Sequence, residues 1–359
     1  MEIGVPKETK DREFRVGLTP SSVRVLSEKD SIVFVETNAG LGSGFSDRDY
    51  LLAGAKIVSK NEAWDRELII KVKEPLPQEY QYLRANQILF TYLHLAADRT
   101  LTETLIRAGT TAIAYETVEL TNGKLPLLSP MSVIAGRLSV QFGSHYLEKQ
   151  QGGRGVLLGG FPGVAAGNVV ILGGGIVGTE AAKIAVGMGA KVTILDVSVD
   201  RLSYLETLFG SRVELLYSNS TNIENCVLDA DLLIGAVLIL GRKAPILVGK
   251  KLVEKMRSGA VIIDVAIDQG GCIETLRPTS HSNPSYIEAG VVHIGIPNMP
   301  GAVPRTSTQA LNNSTLPYVL KLAEKGLKAL ETDSALAKGV NVRDRVLIHP
   351  AVREVFPDL

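Results

Sequence analysis

The sequence predicts an α/β protein with two Rossmann-like, doubly wound domains flanking a cleft and joined by two long helices. Three observations predict it. Short β-rich runs alternate with helical stretches along the chain, which calls for parallel strands with helices on the sheet faces. The stretch "VVILGGGIVG" sets G-x-G-x-x-G between a strand and a helix. The length, 359 residues, favours two domains at about 100–200 residues each.

Composition narrows the class. Hydrophobic residues make up 45% and charged residues 21%, enough apolar material for a large core. Lys+Arg and Asp+Glu each total 38, so there is no basic footprint for nucleic acid or an anionic membrane surface. The two cysteines, Cys226 and Cys272, form neither a disulfide framework nor a CxxC. Each reads as a buried thiol in a reducing compartment. The N-terminus is polar and unlike a signal peptide, and no apolar run reaches the ~18 residues of a spanning helix. The expectation is a soluble, cytoplasmic protein.

Taken in order, the runs at 31–36, 67–73, 87–93 and 110–116 read as strands. Between them, "DRDYLLAGA" and "DRTLTETLIRAG" read as helices, the second with Asp98 as N-cap and Gly109 as its stop. Pro126 and Pro130 break the pattern, and a long helix runs from near Met131 to about Lys149. The Gly-rich "QQGGRGVLLGGFPGVAAG" reads as a loop. A second series starts at Asn168, with strands at 168–173, 190–196, 212–217, 230–237, 259–266 and 290–296. "TSTQALNNSTLPYVLKLAEKG" is the second long helix, with Pro317 a candidate kink. The tail from Leu330 reads as mixed and short. These elements place a nucleotide-binding domain at 128–305 and a discontinuous substrate domain at 1–127 plus 306–359.

The glycines of the motif are Gly173, Gly175 and Gly178. The first permits a tight turn, the second lets backbone approach a pyrophosphate, and the third lets helix and strand pack closely. The helix N-terminus then offers N–H groups and positive dipole to phosphates. The next strand ends in Asp196, where a carboxylate accepts from a ribose diol and repels a 2′-phosphate, favouring NAD over NADP. Arg201 is close enough in sequence to lie along the adenosine ribose.

"ILFTYLHLAAD" delivers an imidazole, His94, at the end of an apolar strand. Two readings are open on this residue alone, a hydrogen-bonded core histidine or a site residue. Lys73 follows "LIIKV", Arg15 sits in "FRVGLTP" and Asp268 follows "VIIDVAI". Lysine, histidine and aspartate thus gather at the carboxyl ends of strands, where open α/β sheets bind ligands. Arginine clamps carboxylates, lysine polarises a carbonyl and histidine moves protons near neutral pH. His281, His293 and His349 show no ligand spacing with one another, so no catalytic metal is expected, and His145 on the long helix reads as structural. Trp64 reads as packing, and Asp11, Arg12 and Glu13 as a solvated run.

"MEIGVPKET", "EFRVGLTP", "KVKEP", "FTYLHLAAD", "AIDQGGC" and "NMPGAVPRTST" resemble the alanine dehydrogenases, a family that takes in the NAD-binding component of transhydrogenases. The resemblance runs from Met1 to about Ala351, although "HSNPSYIEAG" and "HIGIPNMP" depart from the usual versions. It implies reversible, NAD-dependent oxidative deamination of L-alanine to pyruvate and ammonium by a homohexamer. It places the carboxylate-binding arginine on Arg15, the substrate lysine on Lys73, and the catalytic histidine and aspartate on His94 and Asp268. The family's cofactor contacts fall on Ser132, Ile176, Val177, Asp196, Arg201, Ser218, Val237, Leu238, Ile267, Asp268, Arg277, Asn298 and Met299.

Three rival readings remain at this level. One is a transhydrogenase-like NAD(H)-binding component without amino-acid dehydrogenase activity. Another is an opine- or saccharopine-type dehydrogenase, which needs further cationic contacts for a second carboxylate. The last is an NAD-binding regulator without turnover.

Overall fold

The computed structural model describes residues 1–237 and 244–359. The chain forms two compact units, one of Met1–Met131 with Val303–Leu359 and one of Ser132–Ala302. The helix Ser129–Tyr146 carries the first boundary and the helix Pro304–Lys325 begins at the second.

In the first unit β1 (Glu2–Val5), β2 (Ile32–Glu36), β3 (Lys56–Val58), β4 (Leu68–Ile70), β5 (Ile88–Thr91) and β6 (Thr111–Ala114) pair in parallel. Their order, β3-β2-β1-β4-β5-β6, reverses between β1 and β4. β4, β5 and β6 are buried at every position, which explains their unbroken apolar runs. The helix Arg99–Ala108 between β5 and β6 starts as expected, with the Asp98 side chain accepting from Leu101 N–H, and ends at left-handed Gly109.

The second unit repeats the plan. β7 (Asn168–Leu172), β8 (Lys191–Asp196), β9 (Glu214–Tyr217), β10 (Leu232–Gly235), β11 (Val261–Asp264) and β13 (Val291–Ile294) are parallel, while β12 (Tyr286–Glu288) closes one edge antiparallel. The order β9-β8-β7-β10-β11-β13 reverses between β7 and β10. Both units are therefore doubly wound α/β sheets. The chain then returns to the first unit, where β14 (Val340–Arg343) and β15 (Val346–Leu347) extend its sheet antiparallel beyond β6.

The run at 67–73 makes a shorter strand than its composition suggests, since β4 ends at Ile70. Lys73 lies three residues beyond it rather than closing it. The helix Pro304–Lys325 continues through Pro317. Its Thr308 and Asn312 side chains accept the backbone N–H groups of Val16 (3.2 Å) and Thr19 (2.8 Å), and Asn312 donates to Gly17 O (3.1 Å). The strandless segment around Arg15 is thus held by buried polar side chains from near the other end of the chain.

Helix Ile176–Gly187 packs against β7 through Ala181, Ala182 and Ala185, all buried. The fit is closest at Gly178, where an added Cβ would lie 1.9 Å from Gly173 O. Gly178→Ala must push the helix off the sheet and is expected to cost about 1–3 kcal/mol in urea unfolding. A wild-type midpoint would show that the helix retreats at no cost.

His293, fully buried on β13, donates from Nδ1 to Val291 O (2.9 Å), and its Nε2 meets the Thr275 hydroxyl at 2.8 Å. The neutral ring is satisfied at both nitrogens, and burial pushes its pKa below the ordinary 6.5. A depressed folded-state pKa gives stability that is present above the unfolded value and lost as pH falls through the folded one. The melting temperature of His293→Gln should therefore fall less than that of the wild type between about pH 7 and about pH 5. Parallel curves would refute the assignment.

Candidate active site

In the first unit four residues follow the carboxyl ends of adjacent strands. Arg15 follows β1, Lys73 follows β4, His94 follows β5 and Glu116 follows β6. Arg15 and Lys73 flank the reversal between β1 and β4, the place where a doubly wound sheet opens a crevice.

Arg15 is buried, and its Nε and Nη2 donate to Glu13 Oε1 (2.7 Å) and Oε2 (2.6 Å). Its Nη1 lies 3.2 Å from Met131 Sδ. Burial works against the guanidinium charge, but Glu13 outweighs it and holds the Arg15 pKa above its ordinary value. Glu13 is therefore no solvated surface residue. It is buried and paired, while Asp11 and Arg12 beside it are exposed. The i, i+2 spacing of Glu13 and Arg15 was the available signal, hidden within a run of charges.

The backbone at Lys73 is fixed by Glu8. Glu8 Oε1 accepts Val72 N–H (2.6 Å) and Lys73 N–H (3.3 Å), and Oε2 accepts the Lys71 ammonium (3.1 Å). Lys71 is fully buried and also reaches Glu79 at 3.4 Å. The Lys73 ammonium sits 6.0 Å from the Tyr92 ring centroid. Burial, then the like charge of Arg15, push its pKa below the usual lysine value, with Glu74 acting the other way. A displaced lysine of this kind is suited to a carbonyl or carboxylate partner.

His94 has a half-exposed side chain and a left-handed backbone at φ 50. Its N–H donates to Glu116 Oε1 (2.6 Å), and its ring stacks on Tyr92 at 6.0 Å with 6° between planes. Tyr92 is held from beneath by its hydroxyl, which donates to Leu127 O (2.6 Å). His94 is thus a presented side chain and not a core histidine, which answers the question its strand raised.

In the second unit Gly173 turns with φ 98, and an added Cβ there would meet Ala236 O at 2.7 Å across the reversal between β7 and β10. At Gly175 an added Cβ would meet nothing within 4 Å. No side chain caps the helix Ile176–Gly187 that starts there, so its first N–H groups are offered to an anion. Asp196 Oδ2 accepts Gly174 N–H (2.7 Å) and Oδ1 accepts Ser198 N–H (2.8 Å), which fixes the carboxylate beside the turn. Arg201 spends its guanidinium on the turn itself, donating to Gly175 O (3.4 Å) and Thr179 Oγ1 (2.7 Å). The cradle fits a dinucleotide, with an open glycine at an uncapped helix end and a fixed carboxylate on the neighbouring strand.

Of the other predicted contacts, Ile176 and Val177 open the glycine-turn helix. Ser132 lies one helical turn before Gly136, where an added Cβ would meet Val177 O at 2.3 Å, so its helix passes close to that turn. Ser218 N–H donates to Asp196 O (3.0 Å). Val237 follows β10, whereas Leu238 lies outside the described residues. Ile267 and Asp268 occupy a single turn, Ile267–Gln269, with Ile267 buried and Asp268 exposed. Buried Asp264 closes that loop by accepting Ala266 N–H (2.9 Å) and Cys272 N–H (2.7 Å). Arg277 lies over the Tyr286 ring at 4.0 Å, and Asn298 O meets His281 Nε2 at 2.7 Å, next to buried Met299. Burial pushes the thiols of Cys226 and Cys272 upward. Among the described residues no group of three or more His, Cys, Asp or Glu is placed to hold a metal ion.

Residues 4–135 match the family description "Alanine dehydrogenase/PNT, N-terminal domain", and residues 139–350 match "Alanine dehydrogenase/PNT, C-terminal domain". A protein named alanine dehydrogenase from Staphylococcus haemolyticus is 55% identical over 99% of this chain and 96% of its own length. Another of that name from Methanococcus maripaludis is 56% identical over 98% of this chain and 95% of its own. A solved structure titled L-alanine dehydrogenase is 71% identical, with a TM-score of 0.98 over 100% of this chain and 99% of that one. A transhydrogenase structure from Sinorhizobium meliloti, 23% identical with a TM-score of 0.83 over 98% of this chain and all of that one, shares the fold. The chain belongs to the alanine dehydrogenase/PNT family.

Proposed function

We propose that the chain is an NAD-dependent L-alanine dehydrogenase, interconverting L-alanine with pyruvate and ammonium. The observation that carries this reading is whole-length similarity to proteins of that name, joined to a dinucleotide cradle on one unit and an Arg15–Lys73–His94 set on the other. The cofactor contacts would be Gly173, Gly175, Ile176, Val177, Gly178, Asp196, Arg201, Ser132, Ser218, Val237, Leu238, Ile267, Asp268, Arg277, Asn298 and Met299. The cofactor domain would be 128–305, and the substrate domain 1–127 with 306–359. Fixed Asp196 favours NAD, since its charge repels a 2′-phosphate.

In deamination, Arg15 and Lys73 hold the substrate carboxylate, and the Lys73 ammonium also polarises the oxygen that becomes the keto group. Bound on the glycine turn, NAD supplies the hydride acceptor for the substrate Cα. Water then adds to the imine carbon as His94 takes its proton. As the carbinolamine collapses, His94 returns that proton to the departing amine and takes up the hydroxyl proton. The hydroxyl proton, and the one the substrate ammonium loses before hydride leaves, pass to solvent, less the one that ammonia takes up to leave as ammonium. Asp268 orients the substrate nitrogen and relays protons beside it. Hydride transfer requires that water be excluded from the reacting carbon.

Small side-chain discrimination is worth only ~1–3 kcal/mol per methylene, so some turnover of other small 2-oxo acids is expected. A homohexamer and a cytoplasmic location belong to the same reading. Among the described residues no helix is long and apolar enough to cross a membrane.

The test follows NADH absorbance. Oxidation should require pyruvate and ammonium together, and omission of either should abolish it. His94→Ala should lower kcat by about 10²–10⁴ with NADH affinity retained. NADH binding without turnover would overturn the dehydrogenase assignment, and full activity of His94→Ala would overturn the role of the histidine.

A further inference from the structure

We propose that Glu116 is the positioning residue of His94, anchoring its backbone N–H and facing Nδ1, so that Nε2 becomes the proton-transferring nitrogen. The inference rests on the acid–base reading of His94 and adds to it the residue and the nitrogen.

The geometry comes from two neighbouring strands. β5 and β6 pair in register at Thr91 and Ala114. Beyond them, the turn Tyr115–Thr117 aims Glu116 at the residues that leave β5. Leu93 N–H lies 3.1 Å and 3.3 Å from the two Glu116 carboxylate oxygens, and His94 N–H is 2.6 Å from Oε1. Two consecutive N–H groups converging on one anion make a small backbone nest. His94 itself stands at φ 50 and ψ 39, a region that residues with a Cβ rarely enter. Glu116 thus anchors the backbone nitrogens at which this strained turn begins, and the turn presents the imidazole outward.

The same oxygen also faces the ring. Glu116 Oε1 lies 3.9 Å from His94 Nδ1, and the Glu116 side chain is only 16% exposed. Tyr92 covers one ring face, stacked nearly parallel and itself anchored through its hydroxyl. With Tyr92 stacked on the ring and Glu116 facing Nδ1, the nitrogen turned away from the carboxylate is Nε2. A carboxylate beside Nδ1 favours the tautomer with hydrogen on Nδ1, which leaves the Nε2 lone pair able to accept a proton. When Nε2 takes that proton, the imidazolium stands next to Glu116. The 3.9 Å separation is longer than a hydrogen bond, and a movement of ~1 Å closes it, as unliganded sites commonly tighten on substrate binding.

Glu116→Gln keeps side-chain volume and an acceptor oxygen for the nest but removes the charge. For pyruvate amination we expect kcat to fall about 10- to 100-fold. The KM for pyruvate should stay within about twofold and the melting temperature near wild type. In a His94→Ala background the same substitution should have no further effect, because Glu116 acts through the imidazole. A readout independent of turnover is the ¹⁵N spectrum of imidazole-labelled protein. There wild-type His94 should carry hydrogen on Nδ1, and Glu116→Gln should lose that preference.

An unchanged kcat, an equal proportional loss in both backgrounds, or hydrogen on Nε2 in the wild type would each overturn the proposal. Should the wild type fail to turn over pyruvate and ammonium, the dehydrogenase reading fails by itself. The tautomer still decides the role of Glu116.

Discussion

A buried carboxylate, Glu8, is the contact on which the order of the first unit depends. It lies just past β1, at the place where the strand order reverses, and it binds the backbone of the segment that leaves β4. That segment carries Lys71 inward and Lys73 toward the crevice. Burial pushes the Glu8 pKa up, and the Lys71 ammonium offsets only part of that rise. The charge on Lys71 is held in turn by Glu8 and Glu79 against its own burial. Such a cluster contributes little net stability, yet losing one member strands a charge and costs about 3–5 kcal/mol. What the cluster secures is a single position for Lys73, so the electrostatics of the interior set the geometry of the surface.

The strand pattern was legible because parallel strands buried on both faces must be apolar throughout. β5, β6 and β10 appear in the sequence as short runs with clear ends for that reason. The strands of the C-terminal tail were not legible. β14 and β15 are short and antiparallel, and only the pairing of β14 with β6 and of β15 with β14 makes them strands. The end of β4 was misjudged for a related reason. Alternation of Lys71, Val72 and Lys73 looks like continued strand, yet Lys71 is buried by ion pairing and not by sheet register.

The candidate site residues Lys73 and His94 stood out because a lysine or histidine is conspicuous after an apolar run. The residues that place them did not. Glu8 and Glu116 lie among other charged or polar residues with no spacing that separates a buried acceptor from a solvated one, and the i, i+2 spacing of Glu13 to Arg15 is masked by the charges around it. Asn312 and Thr308 looked like ordinary polar positions of a long helix, although they hold the segment around Arg15. Side chains that act on backbone N–H groups leave no periodic trace, because their targets are common to every residue type.

The left-handed backbone of His94 bears on how this position can change over generations. Most replacements meet two barriers there, the loss of the imidazole and the steric cost of a Cβ in that conformation. Glycine, asparagine and aspartate escape the second. A duplicated gene copy released from selection for turnover would keep its fold most readily by passing through one of those three. A branched residue such as valine would demand a rebuilt turn first. The identity of residue 94 in a diverged copy would therefore record whether the turn around Glu116 outlived the reaction.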